Sequence, residues 1–441
     1  MARRNRRRAL PDPFVATIEG LSHEGRGICH HNGKVVFVFG ALPGEVCKVQ
    51  IHRTSRNFAE ANVVEIIQPA AERITPHCPH FSVCGGCSMQ HLAGPDQLRF
   101  KQQQVKEMID HAGIEVGQWL PALTSEPWGY RSKARLGVKF VNKKGRLLIG
   151  FRERGSPYLA DMQQCPVLVP AVGERLEQLI GLFGGLEARA SIPQIEVVAD
   201  EQHTILVVRH LEPLSAADLA ALEDFARESG LWIQLQSGGP ETVQPLLPQE
   251  QQLFIRPLAS SEVAIRFAAG DFTQVNAEVN QKMVEQALVL LDPQAADRVL
   301  DLFCGLGNFT LPIAQRASRV TGIEGDPVMV DRARHNARDN NIFNTDYHAV
   351  NLETVDGDEA WLKASYDKIL LDPPRSGAAA MMPFLNGMGA RTIVYVSCNP
   401  ATLVRDAQDL CNQGYQLDAI GLMDMFPQTA HVESMAVFKR R

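Results

Sequence analysis

Cys398 stands where a hydrophobic strand stops, in VYVSCNP, Val394 to Pro400. In an α/β sheet ligands dock at the carboxyl ends of the strands, so a thiol at that point reads as a nucleophile. The other reading is a buried, inert thiol that behaves as a small hydrophobe. A helix expected from about Ala401 would aim its positive end at the sulfur and favour the thiolate. Covalent catalysis by a thiolate also needs a base to finish the cycle. Glu433 and His431, in HVESMAVF on the last expected strand, could either of them titrate usefully, and a surface carboxylate is the alternative for Glu433.

A second set of residues describes a crevice for a cofactor. In DLFCGLGNFTLPIA, Asp301 to Ala314, Gly305 and Gly307 permit a tight strand-to-helix turn, and Asn308 is expected to cap the helix that follows. A dinucleotide fingerprint would need a third glycine where Thr310 stands, so a compact nucleoside pocket fits better than a pyrophosphate cradle. Glu324 ends the next strand and can accept hydrogen bonds from both ribose hydroxyls. Together these read as binding S-adenosylmethionine; a glycine turn that serves only packing is the alternative. In LDPPRSG, Leu371 to Gly377, consecutive prolines stiffen the loop and turn Asp372 towards the crevice. Asp-Pro-Pro is also found in amino-group methyltransferases, where an aromatic residue follows; here Arg375 follows.

Beside a methyl donor, the thiol has a specific use. Carbon 5 of uracil is a poor nucleophile until a thiolate adds to carbon 6 and makes the ring an enolate; a base must afterwards remove the carbon 5 proton.

Nine cysteines in a chain expected to be cytoplasmic are expected to serve, some of them, metal binding or catalysis rather than a disulfide framework. Cys78, Cys84 and Cys87 lie in CPHFSVCGGC, and Cys165 in QQCPVL. Zinc ribbons pair two C-x-x-C knuckles, whereas this set is three plus one, with Cys-Pro at both Cys78 and Cys165. Iron and sulfur are favoured over zinc, as a structural cluster rather than a radical source. Cys304 and Cys411 are assigned to packing.

The elements that must carry these residues fall into several domains, as 441 residues require. Five arginines in the first eight residues form a basic tail, 1–11, either solubilising or RNA-contacting. From Phe14 to Ile67 short alternating runs are broken by Asn32-Gly33 and Ala41-Leu42-Pro43-Gly44, which suggests a small barrel of the oligonucleotide-binding type over 12–70. A mixed α+β domain with the cysteine loop follows over 71–268. In it, YRSKARLGVKF sets Arg131, Lys133, Arg135 and Lys139 on one strand face and Leu136, Val138 and Phe140 on the other, and the basic face is expected to meet phosphate. Over 269–441 the apolar runs RVLDLFC, RVTGIEG, YDKILLD and RTIVYVS alternate with helical stretches, predicting a doubly wound parallel sheet closed at its edge by YQLDAIGLMDMF and HVESMAVFKRR. The net charge of −6 argues against wholesale coating of nucleic acid. No apolar run approaches membrane-spanning length, so a cytoplasmic protein is expected.

Taken together, GALPGE, CPHFSVCGGC, FTQVN, DLFCGLGNFTLPIA, LDPPR, SCNP and HVES resemble the RNA uracil-C5 methyltransferase family, along nearly the whole chain. The resemblance is to members with an N-terminal TRAM barrel and a four-iron, four-sulfur (4Fe-4S) cluster that methylate 23S ribosomal RNA. It implies an OB-like TRAM barrel, a central α+β domain with an iron–sulfur loop, and a C-terminal Rossmann-like class I methyltransferase domain. It implies Cys398 as nucleophile and Glu433 as base. It also implies cofactor contacts from Gln274, Phe303, Asn308, Glu324, Asn351 and Asp372, and cluster ligation by Cys78, Cys84, Cys87 and Cys165. Gln274 and Asn351 enter through the resemblance alone. A monomer without a membrane partner is expected. Action on transfer RNA, on two ribosomal sites, or RNA binding without catalysis are the alternatives.

Overall fold

The computed structural model describes residues 11–248, 251–355 and 357–440. The arginines of the basic tail, Arg3 to Arg8, lie outside the described residues. The chain divides into two compact units: Met1–Lys101 with Arg152–Tyr158 and Pro427–His431, and Gln102–Phe151 with Leu159–Phe426 and Val432–Arg441. Among the described residues no helix is long and apolar enough to cross a membrane.

The first unit holds a six-stranded sheet made of β1 (Phe14–Thr17), β2 (Gly20–Leu21), β3 (Gly27–His31), β4 (Lys34–Phe39), β5 (Val46–Thr54) and β6 (Phe58–Gln68), in the order β1-β5-β6-β4-β3-β2. Asn32 and Gly33 both adopt positive φ between the paired residues His31 and Lys34, the geometry of a two-residue hairpin turn. Alternate residues Val36, Val38, Cys47, Val49 and Ile51 fill the interior. The expected five strands are present, with the short β2 in addition. The ALPGE turn closes on Glu45, which is 0% exposed and accepts hydrogen bonds from the backbone N–H groups of Leu42 (2.8 Å) and Ala70 (3.1 Å) and from Arg73 Nε (2.5 Å). Burial opposes ionisation of this carboxyl, but the Arg73 guanidinium and the two N–H groups outweigh it and hold it below the usual carboxylate range.

In the second unit, β7 (Val116–Trp119) precedes a sheet of β8 (Lys133–Val141), β9 (Arg146–Gly150), β10 (Gln194–Ala199), β11 (Thr204–Arg209), β12 (Trp232–Gln236) and β13 (Val243–Pro245), ordered β13-β12-β11-β10-β8-β9. With the helices Leu176–Gly185 and Ala216–Ser229 it forms the α+β region expected from the sequence. The short pair β14 (Leu253–Ile255) and β15 (Ile265–Phe267) leads to the helix Ala277–Leu291.

The last sheet comprises β16 (Arg298–Leu302), β17 (Arg319–Glu324), β18 (Thr345–Ala349), β19 (Lys368–Leu371), β20 (Thr392–Ser397), β21 (Tyr415–Met423) and β22 (Glu433–Arg440), and it also takes in β7. Its order is β18-β17-β16-β19-β20-β22-β21-β7. The strands β16 to β20 are mutually parallel, and β22 inserts antiparallel between β20 and β21. The sheet edge expected at β21 and β22 is formed instead by β7, whose Gly117 lets the backbone approach the Asp418 carbonyl too closely for any side chain. From β16 the chain proceeds outward through β17 to β18, then crosses to β19 on the other side. That reversal makes the carboxyl ends of β16 and β19 a topological switch point, where such sheets open a crevice.

Replacing Arg73 with Met strands the Glu45 carboxylate. The carboxylate lies under thin cover, so the low end of the range for breaking a buried pair applies, about 3 kcal/mol at pH 7. The loss should shrink as the pH falls and Glu45 takes up a proton, read as a converging difference in chemical-denaturation midpoints between pH 7 and pH 4. A pH-independent difference would refute the ion-pair account.

Candidate active site

Parallel strands end on the same rim, so Phe303, Glu324, Asn351, Asp372 and Cys398, which follow or close β16, β17, β18, β19 and β20, share one side of the sheet. The Asp372 N–H donates to the Leu302 carbonyl at 3.2 Å, joining the two sides of the switch point. Phe303, Gly305 and Gly307 all have positive φ, at 64°, 55° and 97°, so the glycine turn coils tightly and one non-glycine residue bears the strain. Glu324 accepts from the Gly305 N–H (3.1 Å) and the Asp326 N–H (3.0 Å), which locks the acid against the turn. Asn351 caps its own turn by accepting from the Glu353 N–H at 3.0 Å.

The β20–β22 register pairs Ser397 with Ser434, so Cys398 and Glu433 are the next residues along each strand at the same end. Glu433 is only 7% exposed, and the reading of it as a surface carboxylate fails; His431 is exposed. The Cys398 thiol is half-buried. Burial pushes its pKa up, and the nearby carboxylates of Glu433 and Asp372 push the same way against Arg375. Asp372 is pushed up to about 7 by desolvation, although its side chain keeps a partial opening to solvent. Sulfur, Glu433 and Asp372 therefore occupy one electrostatic neighbourhood.

Hydrogen bonds fix the two loops that present Asp372 and Cys398. Asn399 caps the helix Pro400–Asn412, accepting from the Ala401 N–H at 3.2 Å, and its amide donates to the Arg375 carbonyl at 3.0 Å. Asp406, 0% exposed in that helix, accepts from the Tyr395 hydroxyl (2.6 Å), the Ala378 N–H (2.8 Å) and Arg405 Nε (2.8 Å). Gly377, at φ 76°, leaves room for this knot; a Cβ there would lie 2.5 Å from Arg405 Nη2. Asp406 was not singled out from the sequence, yet it shares the buried face with Leu403, Ala407 and Leu410. An acid at helical spacing on an apolar face was its signal.

Two further polar groups line the turn. Asp301 is 0% exposed; one oxygen accepts from the Thr310 hydroxyl at 2.5 Å and the other, Oδ1, has no partner. Desolvation, with Asp372 and Glu324 nearby, pushes it up to about 7. Asn308 does not cap the following helix, whose N-cap is Phe309 without a side-chain bond. Its amide is instead paired reciprocally with Asn280 at 2.9 and 3.1 Å. Gln274 is half-buried in a segment pinned from outside: Ser132 donates both its N–H and its hydroxyl to the Val275 carbonyl, at 2.9 and 3.0 Å.

That pinning corrects the phosphate-facing strand. The period-two alternation holds, with Ala134, Leu136 and Val138 buried, but the cations are largely committed. Lys133 Nζ donates to the Ala269 carbonyl at 2.9 Å and to the Asp271 carbonyl, and Glu196 on β10 faces both Lys133 (3.9 Å) and Arg135 (3.5 Å). Arg131 lies over Phe151 and Phe426. Arg135 and Lys139 are the exposed members.

Cys78, Cys84 and Cys87 are buried in the irregular loop of the first unit, and Cys165 is buried in the second. The Gly86 N–H donates to Cys84 Sγ at 3.3 Å, and the Cys78 N–H to Gln90 Oε1 at 2.9 Å. Among the described residues no three His, Cys, Asp or Glu side chains converge on one point as ligands of a metal ion.

Comparison with known proteins gives the ancestry of this arrangement. The family described as tRNA (Uracil-5-)-methyltransferase matches residues 199–441, more than half the chain, and the TRAM domain matches residues 14–64. The chain belongs to the RNA uracil-5 methyltransferase family. A protein of Alkalilimnicola ehrlichii named 23S rRNA (uracil(1939)-C(5))-methyltransferase RlmD is 51% identical over 438 residues, 99% of this chain and 98% of its own length. A protein of the same name from Alcanivorax borkumensis is 48% identical over 445 residues, 100% of this chain and 99% of its own. The crystal structure of Pyrococcus abyssi tRNA (uracil-54, C5)-methyltransferase in complex with S-adenosyl-L-homocysteine matches with a TM-score of 0.73 at 22% identity, over 96% of this chain and 100% of that one, a shared fold. The family resemblance, the N-terminal TRAM barrel and the methyltransferase fold expected from the sequence are thereby borne out.

The raised thiol pKa has a measurable sign. Alkylation of Cys398 by iodoacetamide, followed on its peptide by mass spectrometry, should keep rising through about pH 9 without an earlier plateau. Glu433→Gln removes a negative charge that pushes the thiol up and should speed alkylation at pH 7.5 by roughly threefold to tenfold. An unchanged or slower rate would separate Glu433 from the sulfur.

Proposed function

We propose that this protein transfers a methyl group from S-adenosylmethionine to carbon 5 of a specific uridine in 23S ribosomal RNA, through a covalent Cys398 adduct at carbon 6. The observation that carries this reading is the adjacency of Cys398 and Glu433 at the end of the β20–β22 pair, with Asp372 beside them. The names of the most similar relatives support 23S ribosomal RNA as the substrate. The TRAM barrel supports contact with RNA.

The residues that would hold S-adenosylmethionine are Phe303 and the Gly305 turn, Glu324, Asn351 and Asp372 on the rim, with Gln274 and Asn308 beside them. The chain fits such a group: Glu324 is already oriented by the turn, and Asp301 holds an oxygen without a partner in the crevice wall. When bound, the cofactor supplies a methyl group on a sulfonium, an electrophile for one carbon. Cys398 forms its S–C bond to carbon 6 of a uracil swung out of its RNA stack, and the electron pair of the ring double bond moves to carbon 5 and oxygen 4. Carbon 5, made electron-rich by the Cys398 adduct, would then be the atom that accepts the methyl group from the cofactor. Glu433 then accepts the carbon 5 proton, the double bond re-forms, and the thiolate leaves with the electrons of the S–C bond. Glu433, sheltered from solvent, is suited to hold that proton rather than exchange it early.

For the cysteine loop we propose a 4Fe-4S cluster held by Cys78, Cys84, Cys87 and Cys165. What supports it is the chemistry of the donors, four buried thiols with Cys-Pro at Cys78 and Cys165, together with the N–H directed at Cys84 Sγ. A cluster of this kind takes one thiolate per iron, so its ligands surround a body several atoms wide rather than a single point.

Cys398→Ala should lower methyl transfer to ribosomal RNA by about 10⁴-fold or more. Glu433→Gln should instead accumulate a covalent protein–RNA species that denaturing gels resolve. Turnover by the alanine variant, or the same adduct in both variants, would exclude the mechanism. Mapping methylated uridines in RNA from a strain lacking the protein should reveal one missing 5-methyluridine in 23S RNA; a loss confined to transfer RNA would redirect the substrate. Protein purified without oxygen should be brown and contain about four irons per chain. Colourless protein with stoichiometric zinc would replace the cluster.

A further inference from the structure

Among the described residues Arg154 has no carboxylate partner, and it lies in the loop of the first unit where thiolates would form on metal binding. The segment Arg152–Tyr158 joins that unit by pairing with the cysteine loop: Cys84 bridges Glu153, the Arg154 N–H donates to the Val83 carbonyl at 2.9 Å, and the Gly85 N–H donates to the Arg152 carbonyl at 2.9 Å. Gly85 permits this approach, since a Cβ there would sit 3.0 Å from that carbonyl oxygen. The pairing delivers the Arg154 side chain into the loop. Nη2 donates to the carbonyls of Cys87 (2.7 Å), Cys84 (2.8 Å) and Phe81 (3.4 Å). The guanidinium lies over the Phe39 ring, 3.1 Å from its centroid, and 5.7 Å from that of Phe81. Nη1 is buried with no hydrogen-bond partner.

Carbonyl dipoles and a ring face offset only part of the cost of burying a cation. An unpaired N–H beside it adds to that cost. The hydrogen bonds to the Cys84 and Cys87 carbonyls hold the guanidinium beside those two thiols. Metal ligation requires thiolates. Their formation would supply both the missing counter-charge and an acceptor for Nη1.

We infer that Arg154 is the built-in counter-cation of the metal cluster, positioning the Cys84–Cys87 turn through Nη2 and offering Nη1 to cluster or thiolate sulfur. The inference rests on the cluster reading above. Arg154 is a positioning residue: it takes no part in methyl transfer. A positive charge and a hydrogen bond at sulfur favour the reduced form and slow oxidative loss, which a purely structural clamp would not do.

The test uses full-length protein purified without oxygen, as wild type, Arg154→Lys and Arg154→Gln. Lysine keeps the charge and loses the fork; glutamine keeps a donor for the carbonyls and loses the charge. Iron content, midpoint potential and the rate of bleaching in air are measured on each, with circular dichroism to establish folding. The expected result is a more negative potential and at least threefold faster bleaching for Arg154→Gln, with Arg154→Lys close to wild type in potential. Equal potentials and bleaching rates in wild type and Arg154→Gln would overturn the inference while leaving the cluster in place. Should Arg154→Gln fail to fold, a potential in Arg154→Lys as displaced as that of a cysteine-ligand variant would equally overturn it. Wild type without iron would instead remove the cluster reading itself.

Discussion

The direction of one strand governs the chemistry that this sheet can perform. Five parallel strands deliver their carboxyl ends to a single rim, but the end of any strand added in the same sense would only extend the row. Because β22 runs antiparallel between β20 and β21, its first residue rather than its last arrives at that rim. Glu433 therefore meets Cys398 although 34 residues separate them and the chain must travel through the helix Pro400–Asn412 and β21 in between. The pairing is held by a ladder of buried residues from Ile393 to Val396 against Met435 to Phe438, so Cys398 and Glu433 inherit the rigidity of a sheet centre.

Rigidity at the rim comes with an electrostatic cost. Glu324, Asp372 and Glu433 stand at the rim with Asp301 fully buried behind them, Arg375 is the cation that acts on the thiol, and Asp301 and Asp372 are pushed up to about 7. Such a crowd repels a second anion and suits a cation. A cation would relieve it, and the same carboxylates push the Cys398 thiol up. The raised thiol is thus a consequence of placing Cys398, half-buried, beside Glu433 and Asp372.

How much of this the sequence disclosed depends on whether the decisive contact was local. β16, β17, β19 and β20 are buried runs flanked by turn residues, and their identity is legible in composition alone. β18, with the polar sequence TDYHA at the sheet edge, and β7, with VGQW, carry no such pattern; both are strands because a neighbour's backbone is available. The basic strand misleads for a related reason. Its alternation is real, but Glu196 comes from β10, some sixty residues away, and converts Lys133 from a phosphate ligand into a brace for the loop before FTQVN. Asn308 was assigned by the local rule for helix caps and was claimed instead by Asn280 across the turn.

The cysteine loop shows what a short segment needs when it cannot bury enough of itself. Between β6 and the helix Gly94–His111 the chain has no regular element, and its apolar packing includes Met89 and Leu92 against Leu42 and the Phe81 ring against Phe39. That is far less apolar area than the ordering of some twenty residues demands. Polar ties make up part of the difference: Glu45 with Arg73 at one end, Gln97 with the Met89 and Leu92 carbonyls at the other, and Arg154 across the middle. Each of these depends on a charge or an amide held away from water, a weak way to order a loop unless something stronger crosslinks it. Thiolate–metal bonds at the proposed cluster would do so, and the thiolates would give the buried Arg154 guanidinium a counter-charge.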